Sequence, residues 1–87
     1  MKFEWDPAKR LANLAKHALD FADVMEFDWA TAIIQTDGRK DYGEIRFRGW
    51  GLFRGRMHSV AFTRNGQVIR IISFRKANPT EVKRYGP

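Results

Sequence analysis

The spacing of apolar positions changes several times along this 87-residue chain, and each change marks an element. Lys2–Trp5 alternates weakly, as a short opening strand does. Asp6-Pro7 then has helix-start chemistry: Asp accepts free backbone N–H groups, and Pro sits where its missing donor is harmless. Leu11, Leu14, Ala15 and Ala18 recur at helical spacing, which predicts a first helix from Pro7 to His17 with these residues as its apolar stripe. Asp20 is placed as a second N-cap, with Leu19 and Val24 positioned as a hydrophobic staple. Phe21, Val24, Met25 and Asp28 share a face, which predicts a short second helix to Phe27. Two such helices cannot bury their stripes alone, so they are expected to pack on a sheet.

The sheet follows. Thr31–Thr36 is β-branched, and residues 37–43 form a polar connection. Ile45–Phe53 alternates, with Ile45, Phe47 and Gly49 on one side and Arg46, Arg48 and Trp50 on the other. A short turn at Arg54-Gly55-Arg56 leads to Met57–Arg64 and Gln67–Phe74, which flank Asn65-Gly66, a strong hairpin signal. The continuous run Val68–Ile72 suits a central strand. Asn78, Pro79 and Glu81 predict a capped final helix. The expected architecture is α+β in a single domain over 1–87: two short N-terminal helices on an antiparallel sheet of about four strands.

Counting outward from an Asn65-Gly66 loop pairs Phe62 with Ile69, Val60 with Ile71, His58 with Ser73 and Arg56 with Arg75. That register predicts an apolar patch that becomes cationic and hydroxylic at one end. Arg70 falls on the other face opposite Ala61, where it needs a partner such as Glu44, Asp41 or an acidic helix.

Charge sharpens this picture. Residues 1–43 hold six Lys/Arg against eight Asp/Glu, whereas residues 44–87 hold ten against two. A basic half carried on strands points to a partner rich in phosphates, RNA above all. No helix is basic enough for a DNA recognition helix. The chain has no cysteine, which excludes disulfides and thiolate chemistry, and no apolar run near the roughly 18 residues of a membrane span. A cytoplasmic protein is expected, without a signal peptide. Asp20 and Asp23 are read as capping and solvated charges, so neither a metal nor a cofactor is expected. His17 and His58 have the right chemistry for proton transfer, and Trp29 and Trp50 for base stacking; each also has an ordinary structural reading.

Five blocks in order carry a resemblance: Phe3-Glu4-Trp5-Asp6-Pro7-Ala8-Lys9, Asn13-Leu14-Ala15-Lys16-His17, Asp20-Phe21, Asp41-Tyr42-Gly43-Glu44-Ile45-Arg46, and Ile69 to Ala77 with Glu81 and Tyr85. Together the chain resembles BrnT-type toxins. The resemblance implies a RelE-like ribonuclease fold, RNA cleavage that arrests translation, and neutralisation by a BrnA-type, DNA-binding antitoxin of the ribbon-helix-helix kind. On that basis Glu44, Arg46, Arg70, Arg75, His17 and Tyr85 are candidate catalytic groups. Lys16, Arg48, Arg56, His58, Ser73 and Lys76 are candidate RNA contacts. Glu44 or His17 would take the proton of a ribose 2′-hydroxyl, and Tyr85 or a lysine would return one. The chain departs from the family pattern at three places: Ala18 stands where Gly is usual, Arg48-Gly49-Trp50-Gly51 interrupts a regular apolar strand, and His58 has no evident counterpart. The rival reading is a non-catalytic basic module that docks an antitoxin or serves operon autoregulation.

Overall fold

The computed structural model describes residues 1–38 and 43–87. Its elements are β1 (Lys2–Trp5), α1 (Pro7–His17), a 3₁₀ helix (Phe21–Glu26), β2 (Ile33–Thr36), β3 (Phe47–Phe53), β4 (Arg56–Asn65), β5 (Val68–Lys76) and α2 (Pro79–Tyr85). The strands form one sheet in the order β1-β5-β4-β3-β2. β1 runs parallel to β5 and the other neighbours are antiparallel, so the sheet is mixed and five-stranded rather than antiparallel and four-stranded. The predicted second helix is the 3₁₀ segment: Asp20 caps it as expected, accepting from Ala22 N–H, and Phe21 and Val24 are buried while Met25 is exposed. The expected connection at 37–43 lies outside the described residues from 39 to 42, as does Asp41 as a partner for Arg70.

Helix α1 has the predicted bounds, with Asp6 Oδ1 accepting from Ala8 N–H at 2.8 Å. It ends at Ala18 in the left-handed conformation (φ 57°), whose N–H returns to Leu14 O. Its orientation is the reverse of the expected one. Asn13 is only 7% exposed, while Leu11 is 65% and Leu14 40% exposed, and Ala15 and Ala18 also face outward. The cause is the neighbour. β1 covers the edge of β5 only from Val68 to Ile71. Beyond it, Asn13 completes the ladder: Nδ2 donates to Phe74 O (2.8 Å) and Leu19 O (3.0 Å), and Phe74 N–H donates to Asn13 Oδ1 (3.1 Å). A leucine there would orphan two buried backbone groups, so a polar side chain holds the inward position.

The core lies on the sheet face that meets the 3₁₀ helix, built from Phe21, Val24, Phe27, Phe53, Val60, Phe62, Ile69, Ile71 and Phe74. The Gly49/Gly51 departure has its explanation here. A Cβ on Gly49 would lie 2.8 Å from Ile34 Cδ1, and one on Gly51 2.9 Å from Phe27 Cζ, so both glycines let the segment after the 3₁₀ helix lie against β3.

Two local features correct the predicted hairpin. First, Asn65 pairs with Val68, so the loop is Gly66-Gln67 with positive φ at Gly66 alone, the pattern of a II′ turn. The turn with two positive-φ residues is Arg54-Gly55, between β3 and β4. Second, a bulge between Ala61 and Phe62 places Phe62 opposite Ile71 but Ala61 opposite Ser73. The first shift preserves which residues share a face; the bulge reverses it. Phe62, Ile69, Val60 and Ile71 therefore do form an apolar patch, which continues into Phe74. Ser73 and Arg75 move to the other face, and Arg56, His58, Ser73 and Arg75 do not form one cluster.

Candidate functional site

The face opposite the core carries a different chemistry on the alternate residues of the same strands. Register aligns two rows across it: Gln35–Arg48–Ala61–Ser73, and Ile33–Trp50–Ser59–Arg75. Alternation carries Arg46 to the same side. Helix α2 lies over one end, and between it and the β2–β3 end a cleft of 280 Å³ opens. Arg48, Trp50, Arg84 and Tyr85 line this cleft together with Gln35, Asp37, Thr80 and Glu81. A second hollow, 240 Å³, opens into the aromatic core and is lined by Trp29, Phe47, Phe62 and Ile69, with Met1 and Arg64 at its edge.

Glu81 organises the cleft. Pro79 follows the Asn78 cap, and the capping box is complete: Glu81 N–H donates to Asn78 Oδ1 (2.8 Å) and Asn78 N–H to Glu81 Oε1 (2.9 Å). Its carboxylate also receives Arg75 Nη1 (2.7 Å), Arg75 Nη2 (3.0 Å) and Trp50 Nε1 (2.8 Å). These donors, the Arg75 guanidinium foremost, hold its pKa down at about 2. Glu81 is thus a fixed anion and a poor proton acceptor. Trp50 is gripped on its other side by Tyr85, with ring centroids 4.0 Å apart and planes 14° from parallel. Trp50, a candidate for base stacking, is thus already stacked on Tyr85.

Arg48, Arg46 and Arg70 also have carboxylates nearby. Arg48 lies 3.8 Å from Asp37, and Arg46 lies 3.7 Å from Glu44. Arg70 sits opposite Thr63, not Ala61, and beside β1, where Glu4 is 3.7 Å away. It is an exposed surface arginine rather than a stranded interior one. A surface held in this way presents cations at fixed positions, with modest ion-pair energies that a phosphate can outbid.

The candidate residues divide accordingly. Arg46, Arg48, Ser73, Arg75 and Tyr85 come together on the open face, Arg70 borders it, and Glu44 sits beside Arg46. His17 joins from the end of α1: burial, then Lys16 and Arg75, push its pKa below the usual imidazole value. Lys16 is exposed on α1, and Arg56 is exposed at the β3–β4 turn. His58 is a core residue, packed edge-on to Phe53 (5.0 Å), its Nδ1 2.9 Å from Arg56 O and its pKa lowered chiefly by burial. Lys76 pairs with it across β4–β5. Trp29 is likewise structural, donating Nε1–H to Val24 O and packing against Phe3, Phe27 and Phe62. Sequence reasoning missed Arg84 and the second role of Glu81. The cap was visible, but its grip on Arg75 and Trp50 depends on how α2 folds back.

The chain is thus a small α+β protein whose mixed sheet has one aromatic face under a helix and one arginine-lined, open face. The family model of the BrnT ribonuclease toxins of type II toxin-antitoxin systems matches residues 5–81, nearly the whole chain, and the chain belongs to that family. Membership implies a protein antitoxin as partner. No curated protein matches the chain. Among the described residues no helix is long and apolar enough to cross a membrane.

Proposed function

We propose that this toxin cleaves RNA on the open sheet face, without a metal ion, by attack of a ribose 2′-hydroxyl on the adjacent phosphorus. The O2′–P bond forms as the P–O5′ bond breaks, leaving a 2′,3′-cyclic phosphate and a free 5′-hydroxyl. The observation that carries the reading is the gathering of Arg46, Arg48, Arg75 and Tyr85 on one face in a chain of a ribonuclease family. Preset guanidinium groups stabilise the charge that builds on the phosphorane, which is usually the largest single contribution to such catalysis. Arg75 and Arg46 are assigned to the scissile phosphate, with Arg48, Arg70 and Ser73 along the strand. His17, whose lowered pKa leaves it neutral and able to accept near pH 7, competes with Glu44 for the base. Tyr85 is assigned to protonate the leaving oxygen. Cleavage of cellular RNA arrests translation, and a BrnA-like ribbon-helix-helix antitoxin neutralises the toxin and brings the complex to operator DNA.

The test is incubation of purified chain with single-stranded RNA in excess chelator. Fragments ending in 2′,3′-cyclic phosphate are expected, with Arg75→Ala slower by about 100-fold or more. One observation favours the rival, non-catalytic reading: Glu81 already fills the Arg75 fork. RNA left intact by chain that still binds its antitoxin would decide for it.

A further inference from the structure

Glu81 fills one fork of Arg75, and a guanidinium has more than one. Its N–H groups lie in one plane, so two nitrogens along one edge can grip an anion while another edge stays open. In Arg75, Nη1 and Nη2 donate to Glu81 Oε1 and Oε2 at 2.7 and 3.0 Å, and Nη1 donates again to Lys76 O at 3.1 Å. Among the described residues nothing accepts from Nε or from the second hydrogen of Nη2. These two hydrogens share an edge of the plane, and the Arg75 side chain keeps 25% of its surface exposed.

The partner on the filled edge is hard to remove. Arg46, Arg48 and Arg70 meet carboxylates at 3.7, 3.8 and 3.7 Å, loose contacts that a phosphate can replace. Glu81 is held differently. Besides the Arg75 bonds it accepts Trp50 Nε1–H at 2.8 Å and Asn78 N–H at 2.9 Å, so its departure would cost four donors their partner. It would also break the capping box of α2. The Trp50 N–H, on a ring already covered by Tyr85, would be left without an acceptor. A phosphate therefore gains more from the unused edge than from displacing Glu81. Anchoring one edge also removes the rotamer freedom of a long side chain before the ligand arrives, which presets the cation.

We propose that Glu81 is a positioning residue: it clamps the Nη1–Nη2 edge of Arg75 and thereby holds the Nε–Nη2 edge out, in one orientation, for a phosphate of RNA. The inference rests on the RNA-cleaving reading for the identity of that phosphate. It makes α2 part of the phosphate site, through a carboxylate that never touches the substrate.

The test measures steady-state cleavage of single-stranded RNA by wild type, Glu81→Gln, Arg75→Ala, Arg75→Lys and the double variant Glu81→Gln/Arg75→Ala, each shown folded by circular dichroism. Glu81→Gln sets an NH2 group where an acceptor is needed, and is expected to lower kcat about 10-fold with little change in KM. In the Arg75→Ala background it should lower kcat no further, the signature of a residue that acts through another. Arg75→Lys keeps the charge but offers one ammonium to two anions, so it should be nearly as slow as Arg75→Ala. Glu81→Gln at or above the wild-type rate would overturn the proposal, as would equal losses in both backgrounds or a fully active Arg75→Lys. A second measurement needs no cleavage: nitrogen NMR of the labelled chain with uncleavable 2′-O-methyl RNA. The Arg75 Nε–H resonance should shift while exchange of Trp50 Nε1–H stays slow. An unmoved Arg75 resonance, or a Trp50 N–H that exchanges quickly once RNA is bound, would sink the idea. Wild-type chain that leaves RNA intact would remove the nuclease reading, and the NMR result alone would then decide whether Glu81 positions Arg75.

Discussion

Alternate residues of the same strands build two faces that handle polarity in opposite ways. On one, Phe53, Val60, Phe62, Ile71 and Phe74 exclude water, and even His58 is held with its pKa depressed by burial. On the other, Arg48, Trp50, Ser59, Ser73 and Arg75 remain polar, and carboxylates from outside the strands hold two of the arginines. The core face is fixed by volume, so its residues resist change individually. The arginine face is fixed by hydrogen-bond geometry, and its members can change partner without disturbing the layer beneath. On the proposed reading, a phosphate arriving there would replace an internal carboxylate, an exchange for which the core face has no counterpart.

Neighbouring residues Phe74 and Arg75 put this contrast to its largest test. Phe74→Ala should cost about 3–5 kcal/mol, because a fully buried ring leaves a cavity between Phe53 and His58. In an 87-residue domain that approaches the whole stability, so the variant should melt far below wild type. Arg75→Ala should cost less than Phe74→Ala, since it unpairs Glu81 without opening the core, while slowing RNA cleavage by about 100-fold or more. Thermal unfolding and a cleavage assay on both variants check this, and equal stability losses would erase the distinction between the faces.

Much of this division was legible in the sequence. Strand alternation placed Phe47 and Gly49 against Arg46, Arg48 and Trp50, and the polar N-caps marked every helix start. What could not be read was register beyond the hairpin. The Asn65-Gly66 signal was correct for a hairpin, but the loop closed one residue later, and the bulge beside Ala61 then moved Ser73 and Arg75 across the sheet. Periodicity also misjudged α1. It locates the apolar side of a helix but not its neighbour, and here the neighbour is a sheet edge whose N–H and C=O groups need Asn13 more than they need Leu11.

Acid should unfold the protein partly through the arginine face. Glu81 titrates at about 2 in the fold against an ordinary 4.5, so its stabilisation is complete above pH 4.5 and disappears as the pH falls to 2. The full difference is on the order of 3 kcal/mol. Glu81→Gln should remove that share of the acid limb, leaving a flatter stability curve between pH 5 and pH 2, measured by denaturant titration at each pH. An unchanged acid limb would mean that the carboxylate contributes position to the face and no stability.

Asn13 joins the two faces at their shared margin. Asn13→Ala should cost about 2 kcal/mol, since Phe74 N–H and C=O lose their partner while buried. Amide exchange at Phe74 should accelerate more than at Val60, which sits inside the antiparallel ladder. Uniform acceleration at both would show that β5 opens only with the whole sheet.

The smallest effect is expected at the end of α1. Ala18 adopts φ 57°, ψ 30°, a conformation in which a Cβ is strained and glycine is not. Ala18→Gly should therefore relieve left-handed strain, although glycine also gives the unfolded chain more freedom. The net gain should be small, about 0.5 kcal/mol or less, read as a rise of a few degrees in melting temperature. Cleavage should stay at the wild-type rate if the arginine face is fixed from α2 and the strands alone. His17, however, precedes Ala18 and lies near enough to Arg75 for the charges to interact. A change in cleavage rate, or in its pH profile below neutrality, would mean that the helix end sets the position of His17 toward Arg75. In that case the arginine face depends on α1 as well, and the two layers are coupled through a single residue at their margin.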